Sequence, residues 1–435
     1  MDLIVSKFGG TSVANASQIE KAASIVRSDQ RRRCIVVSAP GKRSKQDEKI
    51  TDILIACHAM AAKGEDFSAR FAPIRKRFQE LADQLNIGRD MDPWIDEVEA
   101  DIRNGADSSA VVSRGEYLGA HMIARYLEFE FVDAAELIRF SDATTIDRDA
   151  TDALVRDRLD PAKRYVIPGF YGARDDGSVQ LFTRGGSDIS AALVARGLGA
   201  VSYENWTDVS GLLSADPRLV ENPDPVPRVS YSQLRELAFL GAQVFHDEAV
   251  APVADAGIPI NIRNTNEPDH PGTVIGPVES DAATSKEPVV TGVAGKVGYT
   301  GIRLYKSMLN KESAFPASVY AAFAAAGSPV VQLTIGGDSA LAIVSGTVDA
   351  SKLQKVVEST GVDGAGNEGA LALVGAARPG IAREPAVAAA VLARLAQDGL
   401  SPLFIGVGYS ADSVLFAVAE DRYVPALQAV YEATR

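Results

Sequence analysis

The chain has 435 residues, of which 46% are hydrophobic and 23% are charged, and its formal net charge is −13. This length allows two or three domains of ~100–200 residues each, and the acidic balance disfavours nucleic-acid binding, which needs a basic surface. Two cysteines and four histidines argue against a disulfide scaffold and against a structural zinc site.

The start of the chain shows no apolar signal region. No stretch of the sequence approaches the ~18–20 consecutive apolar residues that are needed to cross a membrane. We therefore predict a cytoplasmic protein that interacts with neither membranes nor nucleic acids.

Strand-like and helix-like segments alternate over residues 1–275. Apolar runs predict buried strands at Leu3–Ser6, Cys34–Ser38, Arg164–Gly169, Val201–Asn205 and Pro259–Arg263. Helical spacing predicts helices at Ala14–Arg27, Lys49–Met60 and Asp188–Leu198. Continuous apolar strands separated by helices indicate an α/β fold with a mostly parallel sheet covered on both faces, and ligands usually bind at the loops after such strands. We expect the run of arginines at 31–33 to be a solvated connection.

The composition changes at residues 276–287, which are small and polar and predict a linker. Beyond it lies an internal repeat, because residues 327–344 match residues 399–418. Each copy reads strand–helix–strand–strand–helix, the order of a ferredoxin-like unit. The predicted helices are Ala317–Ala326, Ser351–Glu358, Ala386–Ala396 and Tyr423–Ala433. A dinucleotide-like G-x-G-x-x-A pattern at 406–411 is rejected, because we expect a strand at 413–419 where that fingerprint needs a helix.

The stretch SKFGGTSVANAS at residues 6–17 joins the first predicted strand to a helix. Glycine N–H groups can approach an anion closely at such a turn, and the helix N-terminus adds positive potential. The familiar phosphate loop carries its lysine after the glycines, whereas here Lys7 precedes Gly9 and Gly10. Taken alone, this stretch fits a phosphate cradle and a plain turn with an exposed lysine equally well.

A second stretch, TRGGSDISAA at 183–192, repeats the combination of a basic residue, two glycines and a helix start. Asp188 falls in the first turn of that helix, where a carboxylate also suits the helix dipole. Two glycine-rich basic turns in one parallel-sheet domain predict a polyanionic ligand.

Two more stretches carry polar residues. NWTDVSGLLSADPR at 205–218 closes a strand-like run and ends in turn chemistry with an arginine. SRGEYLGAHMIARYL at 113–127 places Glu116 and His121 near the start of a long helix, and we expect His121 on the helix surface.

Together these stretches resemble the aspartate kinase family of the amino-acid kinase superfamily. KFGGTSV at 7–13 is similar to the family's N-terminal signature, and VVSAPGKR, KITDILI, SRGEYLGA, TRGGSDISAA, WTDVSGLLSADPR and LGAQVFHDEAV follow in the family's order. The C-terminal repeats resemble the family's two ACT domains, so the resemblance covers essentially the whole chain. It implies ATP-dependent phosphorylation of the L-aspartate β-carboxylate to 4-phospho-L-aspartate, the first step of lysine, threonine and methionine biosynthesis.

The resemblance also implies catalytic residues at the matching positions. Lys7 would contact the transferring phosphoryl group and ATP. Gly9 and Gly10 would cradle phosphates, and Asp188 would order the catalytic lysine. The acceptor is a carboxylate with a pKa near ~4, so it is already ionised at neutral pH and needs no general base.

For aspartate, the resemblance implies binding by Thr51 and Glu116, with Glu116 taking the α-ammonium group. Arg184 would pair with the α-carboxylate in the bidentate geometry that suits arginine. Ser38 lies at the end of the next strand and is assigned to the same substrate site.

For the nucleotide, the resemblance implies binding by Thr207, Asp208 and Arg218. The resemblance also implies that Gln243 would lie near the nucleotide, at a position where many family members have lysine, so that the pocket would have one cation fewer. We expect Mg²⁺ to be held by ATP phosphates and water, and we predict no protein metal motif.

The predicted domains are an amino-acid kinase domain at 1–279 and two ACT-like repeats at 289–365 and 366–435. Paired repeats of this kind leave ligand sites at their seam. We therefore expect a homo-oligomer, a dimer or a tetramer, with feedback by an amino-acid effector such as lysine or threonine.

Two other functions remain open on the sequence. One is a related kinase that acts on a glutamate derivative, a nucleotide or carbamate, although Glu116 and Arg184 suit an amino-acid zwitterion. The other is a catalytically silent amino-acid sensor that uses only the repeats, which the intact Lys7, Arg184 and Asp188 disfavour.

Overall fold

The computed structural model describes residues 2–183, 185–242, 247–277, 291–408 and 410–435. These residues form two compact units. Unit 1 contains the described residues of 1–212, 225–231 and 244–283, and unit 2 contains those of 213–224, 232–243 and 284–435.

The first part of the chain alternates strands and helices through unit 1. The strands are β1 Ile4–Phe8, β2 Arg32–Val37, β3 Glu130–Phe131, β4 Arg139–Phe140, β5 Tyr165–Pro168, β6 Tyr171–Arg174, β7 Val179–Leu181, β8 Ser202–Thr207, β9 Leu212–Leu213, β10 Pro225–Val226, β11 Arg228–Ser230, β12 Ile260–Asn264 and β13 Thr273–Gly276. The helices of this part of the chain are α1 Ala16–Ser28, α2 Ile50–Ala61, α3 Ser68–Gln84, α4 Asp92–Arg103, α5 Ser108–Val112, α6 Arg114–Leu127, α7 Ala134–Leu137, α8 Arg148–Arg158, α9 Gly186–Leu198, α10 Tyr231–Leu240 and α11 Val250–Asp255. Helix α10 belongs to unit 2 apart from its first residue.

Eight of these strands form one sheet in the order β11-β13-β12-β8-β1-β2-β5-β3. Every neighbouring pair is parallel except β12 with β13. The five strands and three helices predicted for this region are confirmed within a few residues of their ends. The sheet is mostly parallel because buried, apolar strands are joined by helices that cross back over it.

Helices pack on both faces of this sheet. Phe8 and Trp206 lie on one face, in a core cluster that also contains buried side chains of α1, α2, α3, α4 and α6. Lys7 and Asn205 precede them on the same strands and point to the opposite face, because side chains alternate along a strand. Helix α9 covers that opposite face and contacts β1, β2 and β8.

Unit 2 is built on one antiparallel sheet. Its elements are β14 Gly292–Tyr305, α12 Phe315–Ala325, β15 Val330–Ile335, β16 Ser339–Ser345, α13 Ala350–Thr360, β17 Gly364–Ala377, α14 Pro385–Gln397, β18 Phe404–Val407, β19 Ser413–Ala419 and α15 Tyr423–Ala433. The sheet order is β15-β16-β14-β17-β19-β18. All four predicted helices and the strand expected at 413–419 are confirmed.

The two repeats share their central strands. The second half of β14 pairs with β16, and the first half of β14 pairs only with the second half of β17, which in turn pairs with β19. The register of β14 shifts between Lys296 and Tyr299, so one long strand changes partners at a bulge. The linker predicted at 276–287 lies almost wholly outside the described residues, and the three domain boundaries stay a prediction.

Two expectations about single residues are wrong. Arg32 is not solvated; its guanidinium is buried and pairs with Glu204 at 2.8 Å. His121 is not on a helix surface, because its ring lies between Trp94 and Phe131, at centroid distances of 4.2 and 3.6 Å. The partner of Arg32 lies 172 residues away in the sequence and satisfies the buried charge, whereas His121 is enclosed by aromatic rings from α4 and β3. Among the described helices, none is long and apolar enough to span a membrane.

Candidate active site

The candidate active site lies where four parallel strands end. Backbone hydrogen bonds join the loops there, from Gly9 N to Trp206 O at 3.1 Å, from Ser38 N to Phe8 O at 3.1 Å, and from Gly169 N to Val37 O at 2.8 Å. The ends of β8, β1, β2 and β5 therefore form one continuous edge, which is where ligands bind in folds of this kind.

An ion pair between a buried lysine and a partly buried aspartate lies at the centre of this edge. Lys7, near the end of β1, places its Nζ 2.6 Å from Oδ1 of Asp188 in the first turn of α9. The helix begins after Gly185, whose φ of 59° is the left-handed conformation that glycine adopts easily. The predicted partnership of Lys7 and Asp188 is therefore present as a direct contact.

The double glycine after β1 allows two loops to touch. A Cβ on Gly10 would lie 2.9 Å from the carbonyl oxygen of Ala39, and one on Gly41 would lie 2.7 Å from Gly10 O. The Gly41 N–H also donates to Gly10 O at 2.8 Å. Side chains at either glycine would push the loop after β1 away from the loop after β2. A Cβ on Gly9 would lie 3.6 Å from Lys7 Nζ, so Gly9 borders the ammonium group.

Glu116 is a buried carboxylate with one unsatisfied oxygen in the described part of the chain. It lies in the first turn of α6, and its Oε2 has no hydrogen bond within the described structure. Burial raises the pKa of Glu116 to about 7, against opposing backbone hydrogen bonds from Ala39 and from its own N–H. A buried carboxylate with an unfilled acceptor is suited to receive a cation, since burial of an unpaired charge is costly.

Glycines on α6 bring this carboxylate to the sheet edge. A Cβ on Gly115 would lie 3.0 Å from Ala39 Cβ and 3.2 Å from Ile50 Cγ2, and one on Gly119 would lie 3.2 Å from Pro40 Cδ. The helix can thus lie directly against the loop after β2 and the start of α2. Two half-buried residues predicted for the substrate occur in those segments: Ser38 and Thr51.

The end of β5 adds a feature that the sequence did not reveal. Phe170 has a φ of 80°, which is strained for a side chain of this size. Its N–H donates to Ser190 Oγ at 3.1 Å, and a Cβ on the preceding Gly169 would lie 2.6 Å from Ser187 Cβ. Close packing of this turn on the start of α9 holds the strained conformation.

Three further polar residues at the edge were not predicted. Asn205 contacts Lys7 and Asp188 through its amide. Ser12 Oγ lies 2.8 Å from Thr265 Oγ1, which ties the loop after β1 to the end of β12. Asn205 is the first residue of one of the polar stretches noted in the sequence. Its position at the end of a predicted strand could therefore have indicated a site residue.

The residues predicted for the nucleotide lie in different settings. Thr207 ends β8 and donates through Oγ1 to Asp208 Oδ1 at 3.2 Å, with the Asp208 side chain exposed. Arg218 belongs to unit 2, where its exposed guanidinium pairs with Asp216 at 2.6 Å. Arg184 and Gln243 lie outside the described residues. No group of three or more His, Cys, Asp or Glu side chains in the described part of the chain is arranged to hold a metal ion.

Comparisons with known proteins identify the family of the chain. A family model for the amino acid kinase family matches residues 2–264. Aspartokinase 3 of Bacillus subtilis is 33% identical over 98% of both chains. The crystal structure of Clostridium acetobutylicum aspartate kinase, described as an allosteric enzyme, covers all of both chains with a TM-score of 0.91 and 37% identity.

A more distant structure has the same fold. Escherichia coli aspartokinase III in complex with aspartate and ADP is 24% identical and has a TM-score of 0.77 over 99% of both chains. The resemblance stated from the motifs is therefore confirmed, together with the α/β fold of the first half and the antiparallel ACT-type sheet of the second. The chain belongs to the amino acid kinase family and, within it, to the aspartokinases.

Proposed function

We propose that this protein is an aspartate kinase that transfers the γ-phosphoryl group of ATP to the β-carboxylate of L-aspartate. The observation that carries the proposal is the pairing of Lys7 with Asp188 at one strand end, beside the buried carboxylate of Glu116, whose Oε2 has no hydrogen-bond partner in the described structure. The first suits a phosphoryl group in transfer, and the second suits the α-ammonium group of an amino acid.

The reaction needs positioning and charge neutralisation more than covalent help. A β-carboxylate oxygen of aspartate attacks the γ-phosphorus, the bond from that phosphorus to the β,γ-bridging oxygen breaks, and ADP leaves with the electron pair. The attacking carboxylate is ionised at neutral pH, so no protein group has to remove a proton. Lys7 offers its ammonium group to the transferring phosphoryl oxygens, next to the N-terminus of the short helix Gly10–Val13.

Aspartate is proposed to bind with its α-ammonium group on Glu116. Cation binding favours the ionised carboxylate, so the substrate would lower the pKa that burial has raised. Thr51 and Ser38 are proposed as hydroxyl ligands, and Arg184 as the partner of the α-carboxylate.

ATP is proposed to contact Thr207, Asp208, Arg218 and Gln243, with Gly9 and Gly10 at its phosphates. Mg²⁺ would neutralise phosphate charge when it is bound with the nucleotide. The oxygen-bearing side chains near the strand ends, Asp188 and Asp208, are chemically suited to a hydrated Mg²⁺ ion, and a dedicated metal cage is not part of the proposal.

Unit 2 supports a proposal about regulation and assembly. Its paired repeats are proposed to bind an amino-acid effector such as lysine or threonine, in a homo-oligomer of two or four chains located in the cytoplasm. Effector binding to the predicted repeats at 289–365 and 366–435 would then regulate the predicted kinase domain at 1–279.

The decisive experiment traps the product. Purified protein with ATP, Mg²⁺, L-aspartate and hydroxylamine should form aspartyl hydroxamate in a ratio of one to one with ADP. Glutamate, carbamate and uridine monophosphate serve as matched acceptors in parallel reactions. ADP formation that depends on one of these acceptors and not on aspartate would assign the chain a different substrate, and ATP binding without any turnover would leave only an amino-acid sensor.

A further inference from the structure

Asn205 completes a closed triangle with the central ion pair. It lies on β8 directly opposite Lys7 of β1, and its side chain is buried. Its Oδ1 accepts from Lys7 Nζ at 3.4 Å, and its Nδ2 donates to Asp188 Oδ1 at 3.3 Å. The ion pair itself closes the third side at 2.6 Å.

The amide is matched to both of its neighbours. An ammonium group can only donate and an ionised carboxylate can only accept, so a residue that touches both must present one acceptor and one donor. The Asn205 amide does this in one orientation only, since the reversed amide would place N–H groups against Lys7. Neither an apolar side chain nor a carboxylate of the same size can make both contacts.

The triangle accounts for the donors of Lys7. An ammonium group has three N–H bonds, and within the described structure two of them are directed at Asp188 and Asn205. The third is then held in a defined direction and remains for a ligand. Without the amide, Lys7 would keep its charge and its pairing with Asp188, but the ammonium group could turn about that single contact.

We infer that Asn205 is a positioning residue for phosphoryl transfer, which aims the third N–H of Lys7 at the transferring group. This inference rests on the proposed function. Preorganised donors lower a barrier because no reorganisation is needed as charge develops, so the loss of Asn205 should affect turnover more than ground-state binding.

The test compares substitutions of Asn205 with a control substitution on the same strand, with kcat and with KM for ATP and for aspartate measured separately. Asn205→Leu removes both amide contacts at nearly constant size. We expect kcat to fall about tenfold, which corresponds to about 1.4 kcal/mol, while both KM values stay within about twofold. Ser202→Ala, at the other end of β8, is the control and should behave like the wild type.

Asn205→Asp separates positioning from charge. It keeps an acceptor for Lys7 but places a second carboxylate beside Asp188, so we expect KM for ATP to rise severalfold in addition to the loss of kcat. If Asn205→Leu does not fold, Asn205→Ala removes the same contacts without adding apolar bulk and should show the same selective loss of kcat.

Outcomes for this inference and for the proposed function can be told apart. A folded Asn205→Leu or Asn205→Ala protein with kcat within about twofold of an active wild type would overturn the positioning role alone. An equal rise in KM and fall in kcat/KM, with kcat unchanged, would also overturn it, because Asn205 would then act in binding. A wild type without aspartate-dependent turnover would instead remove the proposed function.

Discussion

The two units differ in where they place charge. All of the buried acidic and basic side chains found in the described structure lie in unit 1: Lys7, Arg32, Arg77, Glu116, His121, Asp152 and Glu204. The buried polar side chains found in unit 2 are uncharged: Gln233, Thr300, Ser328, Thr360, Ser413 and Thr434. Both units nevertheless contain well-packed apolar cores.

The difference follows from what each unit has to do. Burial of a charge is costly unless it is paired, and an antiparallel sheet under alanine-rich helices can pack without one. Unit 1 contains such buried charges at its strand ends, where Lys7 and Glu116 face the candidate site. Unit 1 also contains buried charges on the other face of the sheet. There Glu204 binds Arg32 and accepts from the indole N–H of Trp206 at 2.8 Å. Buried charge in this chain therefore marks the unit proposed to perform chemistry.

The largest effect is expected from Lys7→Ala. Loss of a charged donor to the transferring group should lower kcat by about 10²–10³-fold, while the fold is retained because Asp188 keeps the Asn205 N–H. Steady-state kinetics and circular dichroism measure the two results. Lys63→Ala, at an exposed lysine of the same unit, is the control, and a Lys7→Ala protein of nearly normal kcat would remove Lys7 from the reaction.

The next effect compares one ion pair from each unit. Arg32→Met leaves Glu204 buried with Arg263, at 3.7 Å, as its remaining cationic partner, so we expect a loss of about 3 kcal/mol in the free energy of unfolding. Arg303→Met breaks the more exposed Arg303–Glu368 pair of unit 2, where we expect no more than about 1 kcal/mol.

Urea unfolding of both variants measures this comparison. Arg32→Met combined with Glu204→Gln should recover much of the loss, because the uncompensated charge is then gone. Equal losses in Arg32→Met and Arg303→Met would show that buried charge does not distinguish the two units energetically.

The sequence was most informative where candidate site residues coincide with the glycines and polar residues of turns. Lys7, Gly9, Gly10 and Asp188 could be predicted because charges and glycines occur together at strand-to-helix turns. The alternation of strands and helices also predicted the parallel sheet, since each apolar strand is bounded by turn residues.

Contacts between distant segments could not be predicted in the same way. Arg32 and Glu204 are 172 residues apart. They meet because β1 lies between β2 and β8 in the sheet, an order that local patterns do not encode. Asn205 is likewise defined by its register opposite Lys7. The sequence did not predict that the two repeats share the long strands β14 and β17, because each half of a long strand has the pattern of an ordinary short strand.

His121 allows the effect of buried titratable groups in unit 1 to be tested with pH. Its ring is stacked between Trp94 and Phe131 and meets the edge of Tyr117, and its Nε2 has no hydrogen-bond partner within the described structure. Burial, helped by the charge of Arg114, lowers the pKa of His121 to about 3 from an ordinary value of 6.5. The folded protein therefore holds this imidazole neutral, whereas the unfolded chain takes up a proton below about pH 6.5.

The sign follows from linkage, since the free energy of unfolding falls wherever the unfolded state binds more protons as pH decreases. Between about pH 6.5 and pH 3, His121 should cost unit 1 about 1.4 kcal/mol per pH unit, and above pH 6.5 it should have no effect. Glu116 acts with the opposite sign, because its raised pKa weakens the fold as pH rises from about 4.5 to about 7. Each group must therefore be isolated by its own substitution.

His121→Phe keeps an aromatic ring in the stack and removes the titration, so its advantage over the wild type in urea unfolding should grow as pH falls from 6.5 to 5. An advantage that does not change with pH would mean that His121 contributes through packing alone, and acid sensitivity in unit 1 would then have to come from its buried ion pairs.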